Sequence, residues 1–388
     1  MILGVGATAQ TAFSMTPWGL PVLAPALRSD YSLSLPQVGV VLASANIGLL
    51  AAMLVWGLAA DRFGERVVIA AGLGVASLCL LAAARTSAFL PFVTLVFGAG
   101  VGGASVNAAS GRAILGWFPP AQRGFALGVR QMAQPLGGVI AALVLPVAVE
   151  VGGVELAIST LGCVCAVAAV AAAVWLRDPA AADPAAARSR RHPLRNPQIW
   201  RLAVGSGLLT VPQFGIGSFI VVFLHERHGM STHAAGGVLG TIDALGVALR
   251  LVSGIVSDRL RKRMLPLRAV TLALSLAVAA VIPLLDAPTV WIVPALIVCG
   301  GLSLSWNALS YTATAEIAGR GRSGAALGLQ QSVLAAGAGL TPLLLAPLIA
   351  ATSWSAAYAL IAAAPLLAFA LFSSVGESFG VEQAAQSA

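Results

Sequence analysis

The chain has 388 residues, of which 59% are hydrophobic and 9% charged, with a formal net charge of +8. A soluble domain carries about a quarter of its residues as charges, so a soluble enzyme is excluded, and apolar composition sustained over the whole length leaves no room for an appended catalytic domain. The excess of 22 basic over 14 acidic residues points to orientation in a bilayer rather than to nucleic acid.

A spanning helix needs about 20 apolar residues and a short connection, so this length allows on the order of twelve spans. Apolar runs bounded by charges, Pro and Gly fall at 2–27, 36–60, 66–84, 89–115, 124–149 and 153–176. The first lacks the basic start of a signal peptide and is too long to be one, so it reads as a span. Arg177 to Pro197, rich in Ala, Pro and Arg, reads as a solvated linker. Six further runs follow at 198–224, 233–257, 265–285, 289–315, 323–350 and 354–375. The expected fold is an all-α membrane protein of twelve transmembrane helices in two pseudo-symmetric six-helix bundles, 1–176 and 198–375, joined by a cytoplasmic linker at 177–197 and followed by a tail at 376–388. Cys79, Cys163, Cys165 and Cys299 all lie in apolar runs, without the spacing of disulfides or a metal site.

With this span order, sixteen of the 22 basic residues fall in loops on one side and three, Arg28, Arg85 and Arg227, on the other. Cytoplasmic loops hold the basic excess. The expected location is therefore the inner membrane, multi-pass, with both termini cytoplasmic. The halves also repeat each other: Gly57-Leu58-Ala59-Ala60-Asp61-Arg62 returns 197 residues later as Gly254-Ile255-Val256-Ser257-Asp258-Arg259. At an offset of 200, Gly124-Phe125-Ala126-Leu127-Gly128 returns as Gly324-Ala325-Ala326-Leu327-Gly328, and Asn107 as Asn307. Duplication of one six-helix unit explains both.

Gly57-x-x-x-Asp61-Arg62-x-Gly64-x-Arg66 resembles the signature that the major facilitator superfamily carries between its second and third helices. Together with the spans, the linker and the repeat, the resemblance covers essentially the whole chain. The stretch Gly111-Arg112-Ala113-x-x-Gly116-Trp117-Phe118-Pro119, followed by Arg123-Gly124-x-Ala126-Leu127-Gly128-x-Arg130-Gln131, is similar to the cyanate and nitrate/nitrite permease-like branch. The mid-helix arginine of many sugar and drug carriers is missing near Val96, and the antiporter signature of the fifth helix survives only as Gln134-Pro135-Leu136-Gly137-Gly138. The resemblance implies a secondary transporter, not an enzyme, moving a small organic or inorganic anion by alternating access with proton symport. The alternative is proton-driven efflux of an amphipathic compound. The expected partners are the anionic substrate, protons and the bilayer, with the chain a monomer that holds no cofactor and binds no nucleic acid.

Ionisable groups inside spans are costly and mark functional positions. Asp243 and Arg250 are seven residues apart on the eighth span, hence on one face; they read either as a structural ion pair or as an anion site at Arg250 beside a protonatable Asp243. Arg130 and Arg112 either bind substrate oxygens with a forked guanidinium or snorkel to headgroups. Asn107, Gln131, Asn307, Tyr311, Gln330 and Gln331, with Gln10 and Gln213, supply neutral polar groups near the midplane, as a pocket or as helix-to-helix hydrogen bonds. Asp61, Arg62, Arg66, Asp258 and Arg259 mark the cytoplasmic gate. The superfamily's usual acidic partner of the loop arginine corresponds to Glu316, expected opposite Arg259. His225-Glu226-Arg227-His228 and His233 read as a solvated loop rather than a metal site.

Overall fold

A computed structural model describes residues 2–117, 120–176, 196–318 and 323–377; for 2–3, 61, 110–117, 120–130 and 323–325 only the course of the helix is described. Among the described residues every regular element is helical. The first half comprises α1 (Ile2–Asp30), α2 (Leu35–Phe63), α3 (Glu65–Ala83), α4 (Phe89–Trp117) and a run Pro120–Trp175. Gly152 (φ −149°, ψ 23°) and Gly153 (φ 67°, ψ −168°) break that run into α5 (120–151) and α6 (154–175). The conformation of Gly153 is one that a Cβ would forbid. The second half comprises α7 (Pro197–His228), α8 (Thr232–Leu260), α9 (Met264–Val281), α10 (Thr289–Leu304 continued by Asn307–Ala318), α11 (Ser323–Ala351) and α12 (Trp354–Ser373).

Ten described stretches are long and apolar enough to cross a membrane, and one of them, Gln131–Trp175, takes in α5 from Gln131 onward and all of α6. The more polar α1 has 29 residues, about 43 Å at the helical rise. Its polarity has a place to go: Gln10, Ser14 and Thr16 are buried inside the protein, while Leu54, Leu78, Leu90 and Val167 of its neighbours stay exposed where lipid would lie.

Two expectations about helix limits are corrected. The helix α7 continues to His228, because Gly229 (φ 66°) closes it in the left-handed conformation and its amide bonds His225 O. His225 and His228 therefore belong to a helix end, where their rings pair with the carbonyls of Met230 and Leu285. The tenth span is broken at Ser305 and Trp306. Trp306, fully buried, turns its indole N–H back to Ser303 O at 2.8 Å.

The glycine run of α4 allows three different neighbours to approach. A Cβ on Gly100 would stand 2.0 Å from Ala45 O of α2, one on Gly102 would stand 2.4 Å from Gly72 O of α3, and one on Gly103 would enter the Phe13 ring of α1. Small residues of this kind replace the hydrophobic driving force that lipid cannot supply.

The halves meet along α1 with α7, α2 with α11, and α5 with α8. The last two seams are copies of one another. Gly39 of α2 faces Pro342 and Ala346 of α11, and the repeat-related Gly236 of α8 faces Ala142 and Pro146 of α5. At the arginine-rich end an arginine closes each half, at positions that the repeat does not pair. Arg66 Nε donates to Ala173 O at the end of α6 at 2.6 Å, and Arg268 Nη2 donates to Phe372 O and Val375 O at the end of α12 at 2.8 and 2.7 Å. Each arginine caps terminal carbonyls within its own half.

Candidate functional site

Two cavities lie between the halves, stacked along the molecule. The larger, about 50 Å³, is the one nearer the arginine-rich end. From the first half it takes Gln10, Asn46, Asn107 and Gln131; from the second, Gln213, Asn307, Tyr311 and Gln331. The smaller, about 30 Å³, extends toward the opposite end and is lined by Asp243, Ser218 and Ser303 among apolar groups. Pro17, Trp18, Gln213 and Phe214 border both cavities. Trp18 and Phe214, from opposite halves, meet edge to face with ring centroids 6.1 Å apart. Among the described lining residues, Asp243 is the single charged side chain.

The amides are partly engaged. Asn307 Nδ2 donates to Gln213 Oε1 at 3.1 Å, Gln10 Nε2 donates to Ser14 Oγ at 3.3 Å, and the Tyr311 hydroxyl donates to Gln331 Oε1. Among the described residues, Gln10 Oε1 and Gln131 Oε1 have no partner although both are buried. Such groups are costly unless water or a ligand satisfies them. Gln330, expected beside Gln331, is elsewhere: one residue turns a helix by about 100°, and Gln330 Nε2 bonds Ser206 Oγ (3.1 Å) and Ser310 Oγ (2.6 Å) inside the second half.

The two charges of α8 lie on its seam with α5. Asp243 is 2% exposed, and its carboxylate lies so close to Gly138 that a Cβ there would be 2.2 Å from Oδ2. Arg250 is 3% exposed; its Nε donates to Leu304 O and its Nη1 to Gln131 O, both at 2.7 Å. Asp243 against Gly138 and Arg250 against Gln131 keep one antiparallel register, seven residues along each helix. The two side chains form no ion pair with each other: among the described residues, Asp243 Oδ2 and Arg250 Nη2 are buried without a hydrogen-bond partner. In the duplicated seam, the matching positions on α2 are Asn46 and Met53, so the charges are an asymmetry laid on a symmetric scaffold. Arg250 does not line either cavity; it stands behind Gln131 and Leu304, which do.

The side chains of Arg112, Arg130 and Asp61 lie outside the described residues. Arg62 is exposed over the ring of Phe63, 5.5 Å from its centroid. Arg259 is exposed, and among the described residues no ion pair joins it to Glu316, which pairs with Arg263 instead. Arg263 Nε reaches Glu316 at 3.0 Å, and Arg263 Nη1 reaches Asp258 at 2.5 Å and Ser257 Oγ at 2.9 Å. The chain turns sharply after α8, with Arg261 left-handed at φ 51°, and that turn carries Arg263 back under α10. The network ties α8, α9 and α10 within one half.

At the opposite end Arg28 of α1 pairs with Glu226 of α7, across the halves and partly exposed. Exposed pairs contribute about 0–1 kcal/mol and are screened by salt. Glu226→Gln is thus expected to raise maleimide labelling of Ser218→Cys from that side by up to about fivefold at low salt. The increase should vanish at about 1 M salt; an undiminished effect there would exclude an electrostatic latch.

Residues 6–342 match the family model of the Major Facilitator Superfamily. The chain belongs to that superfamily. It is 33% identical over 374 residues to an uncharacterized MFS-type transporter of Mycobacterium tuberculosis, covering 96% of this chain and 83% of that one. A second M. tuberculosis relative, named "Probable nitrate/nitrite transporter NarK2", is 27% identical over 283 residues, 71% of each chain. The crystal structure of a D-xylose–proton symporter superposes with a TM-score of 0.77 at 14% identity, covering 97% of this chain and 98% of that one; this likeness is one of fold. As a superfamily member the chain is a multi-pass membrane transporter of a small molecule, and not an enzyme. Asn46, Gln134, Trp18 and Phe214 line its cavities without being named as site residues from the sequence, where Gln134 figures only within the remnant antiporter signature. The repeat offers a signal for Asn46, which stands opposite Asp243.

Proposed function

We propose that the protein carries a small inorganic or organic anion through the inner membrane by alternating access, with a proton as the co-transported ion. The observation that carries this reading is a cavity walled by amides and backed by a buried guanidinium, with a lone carboxyl group in the adjoining chamber. Amide N–H groups donate to an oxyanion or carboxylate without the charge that would trap it. Arg250 supplies a positive centre one residue layer away, and a guanidinium keeps its charge when buried. A space of about 50 Å³ holds a few water molecules, the scale of a nitrate or a short carboxylate rather than of an amphipathic drug. The likeness to the probable nitrate/nitrite transporter NarK2 supports the same substrate class.

In this reading 1–176 and 198–375 are the two rocking bodies, 177–197 links them and 376–388 is a tail. The arginine-rich end, both termini and the linker face the cytoplasm, as the loop charges favour. One chain encloses both cavities, so a monomer suffices. Asp243 takes the proton, and Arg112, Arg130 and the amides guide the anion between Arg250 and water. A thermal-shift screen of the purified protein against nitrate, cyanate and short carboxylates tests the substrate class, since a ligand that binds the native state raises apparent stability. At least one anion is expected to stabilise the wild type, with affinity reduced by tenfold or more in Arg250→Lys, where the planar fork is lost (about 1.4 kcal/mol per decade). Stabilisation by lipophilic cations alone would overturn the anion assignment.

A further inference from the structure

The two carbonyls that Arg250 holds share a property: neither accepts a backbone amide of its own helix, Leu304 O receiving besides Arg250 only a long bond of 3.4 Å from the side-chain amide of Asn307 among the described residues. Four residues after Gln131 stands Pro135, which has no N–H. Leu304 is the last residue before the break at Ser305 and Trp306, so its oxygen leaves the regular ladder of α10. A carbonyl abandoned at membrane depth must find another donor. Arg250 answers both with two bonds of 2.7 Å. Gln131 belongs to the first half and Leu304 and Arg250 to the second, so one of the two bonds crosses the interface between bundles.

We propose that Pro135 and Arg250 form a clasp at the arginine-rich end of the α5–α8 seam: the proline withholds an amide from Gln131 O, and the arginine of the opposite half supplies the proton instead. The clasp rests on the alternating-access reading above. Arg250 and Pro135 act in it as positioning residues for the bundle motion. While the seam is closed, the guanidinium is occupied by carbonyl oxygens and withheld from the cavity. When α5 and α8 part, the bond to Gln131 O must break, and the freed N–H groups become open to an anion's oxygens. The anion then competes with a carbonyl, so loading is confined to the conformation open at that end.

The clasp is separable from a mere bend in α5, because the same helix has a second proline. Pro146 orphans Ala142 O, which faces Gly236 and has no side-chain donor among the described residues. The test places spin labels at Leu58→Cys on α2 and Leu260→Cys on α8, both exposed near the arginine-rich end, in the full-length protein freed of native cysteines and reconstituted in lipid. Pulsed electron–electron distances then report the closed and open populations. Pro135→Ala restores an amide to Gln131 O and is expected to raise the open-to-closed ratio by about tenfold, the scale of one hydrogen bond to a charged group. Arg250→Lys should do the same, the double variant no more than either single, and Pro146→Ala nothing beyond twofold. An unchanged ratio in Pro135→Ala, or fully additive effects in the double variant, overturns the clasp while two populations still stand. A single distance in wild type and every variant overturns the rocking reading and the clasp with it.

Discussion

Asp243→Asn is expected to keep anion exchange across proteoliposomes within a few fold of wild type and to abolish accumulation driven by a pH difference. The carboxyl group sits against Gly138, 2% exposed, with Oδ2 unpartnered. An isolated carboxylate in such a place is expensive, and protonation relieves the cost. An asparagine has the same shape and is permanently neutral, so it imitates the loaded carrier and permits the seam to close in every cycle. Exchange needs only the loaded carrier to return; net concentration needs the group to release its proton on one side. The measurement is counterflow of the anion found in the thermal-shift screen, beside uptake with only a pH difference imposed. If Asp243→Asn still concentrates the anion under that condition, Asp243 is not the proton carrier.

The second large effect separates packing within a bundle from packing between bundles. Gly100→Val and Gly138→Val add the same atoms to close helix crossings. At Gly100 the new Cβ would meet the Ala45 backbone, with Ala45 O at 2.0 Å and Ala45 C at 2.8 Å. Nothing there can yield, and overpacking of this kind costs about 1–3 kcal/mol or more; folded protein should largely be lost. At Gly138 the neighbours are the Asp243 carboxylate and the Trp18 ring of α1, and in the proposed alternating-access cycle the obstruction lies on the face that separates. Gly138→Val should therefore purify with a melting temperature within a few degrees of wild type while transport falls at least a hundredfold. Equal loss of folding in both variants would show the α5–α8 seam to be permanent rather than transient.

The membrane-spanning architecture was written in the sequence because its determinants are local or repetitive. Hydrophobic length sets a span wherever it occurs, the charge of a loop is read without knowing its neighbours, and a duplicated unit announces itself by its period. The buried charge of Asp243 and Arg250 was legible for the same reason, as an exception to an apolar run. What these groups touch was not. The split between Gln330, tied to Ser206 and Ser310, and Gln331, in the cavity wall, depends on the rotation of α11 about its axis, which packing against other helices decides. Glu316 takes Arg263 because of a left-handed turn at Arg261, which no spacing rule contains. Arg250 reaches Gln131 O across 119 residues of chain because a proline in one half and a helix break in the other left carbonyls at the same depth of one seam. Sequence alone determined that this chain would be a duplicated bundle in lipid with charge buried in it; only the tertiary structure decided which orphaned backbone groups that charge would serve, since a hydrogen bond requires two partners and the second is set by the fold.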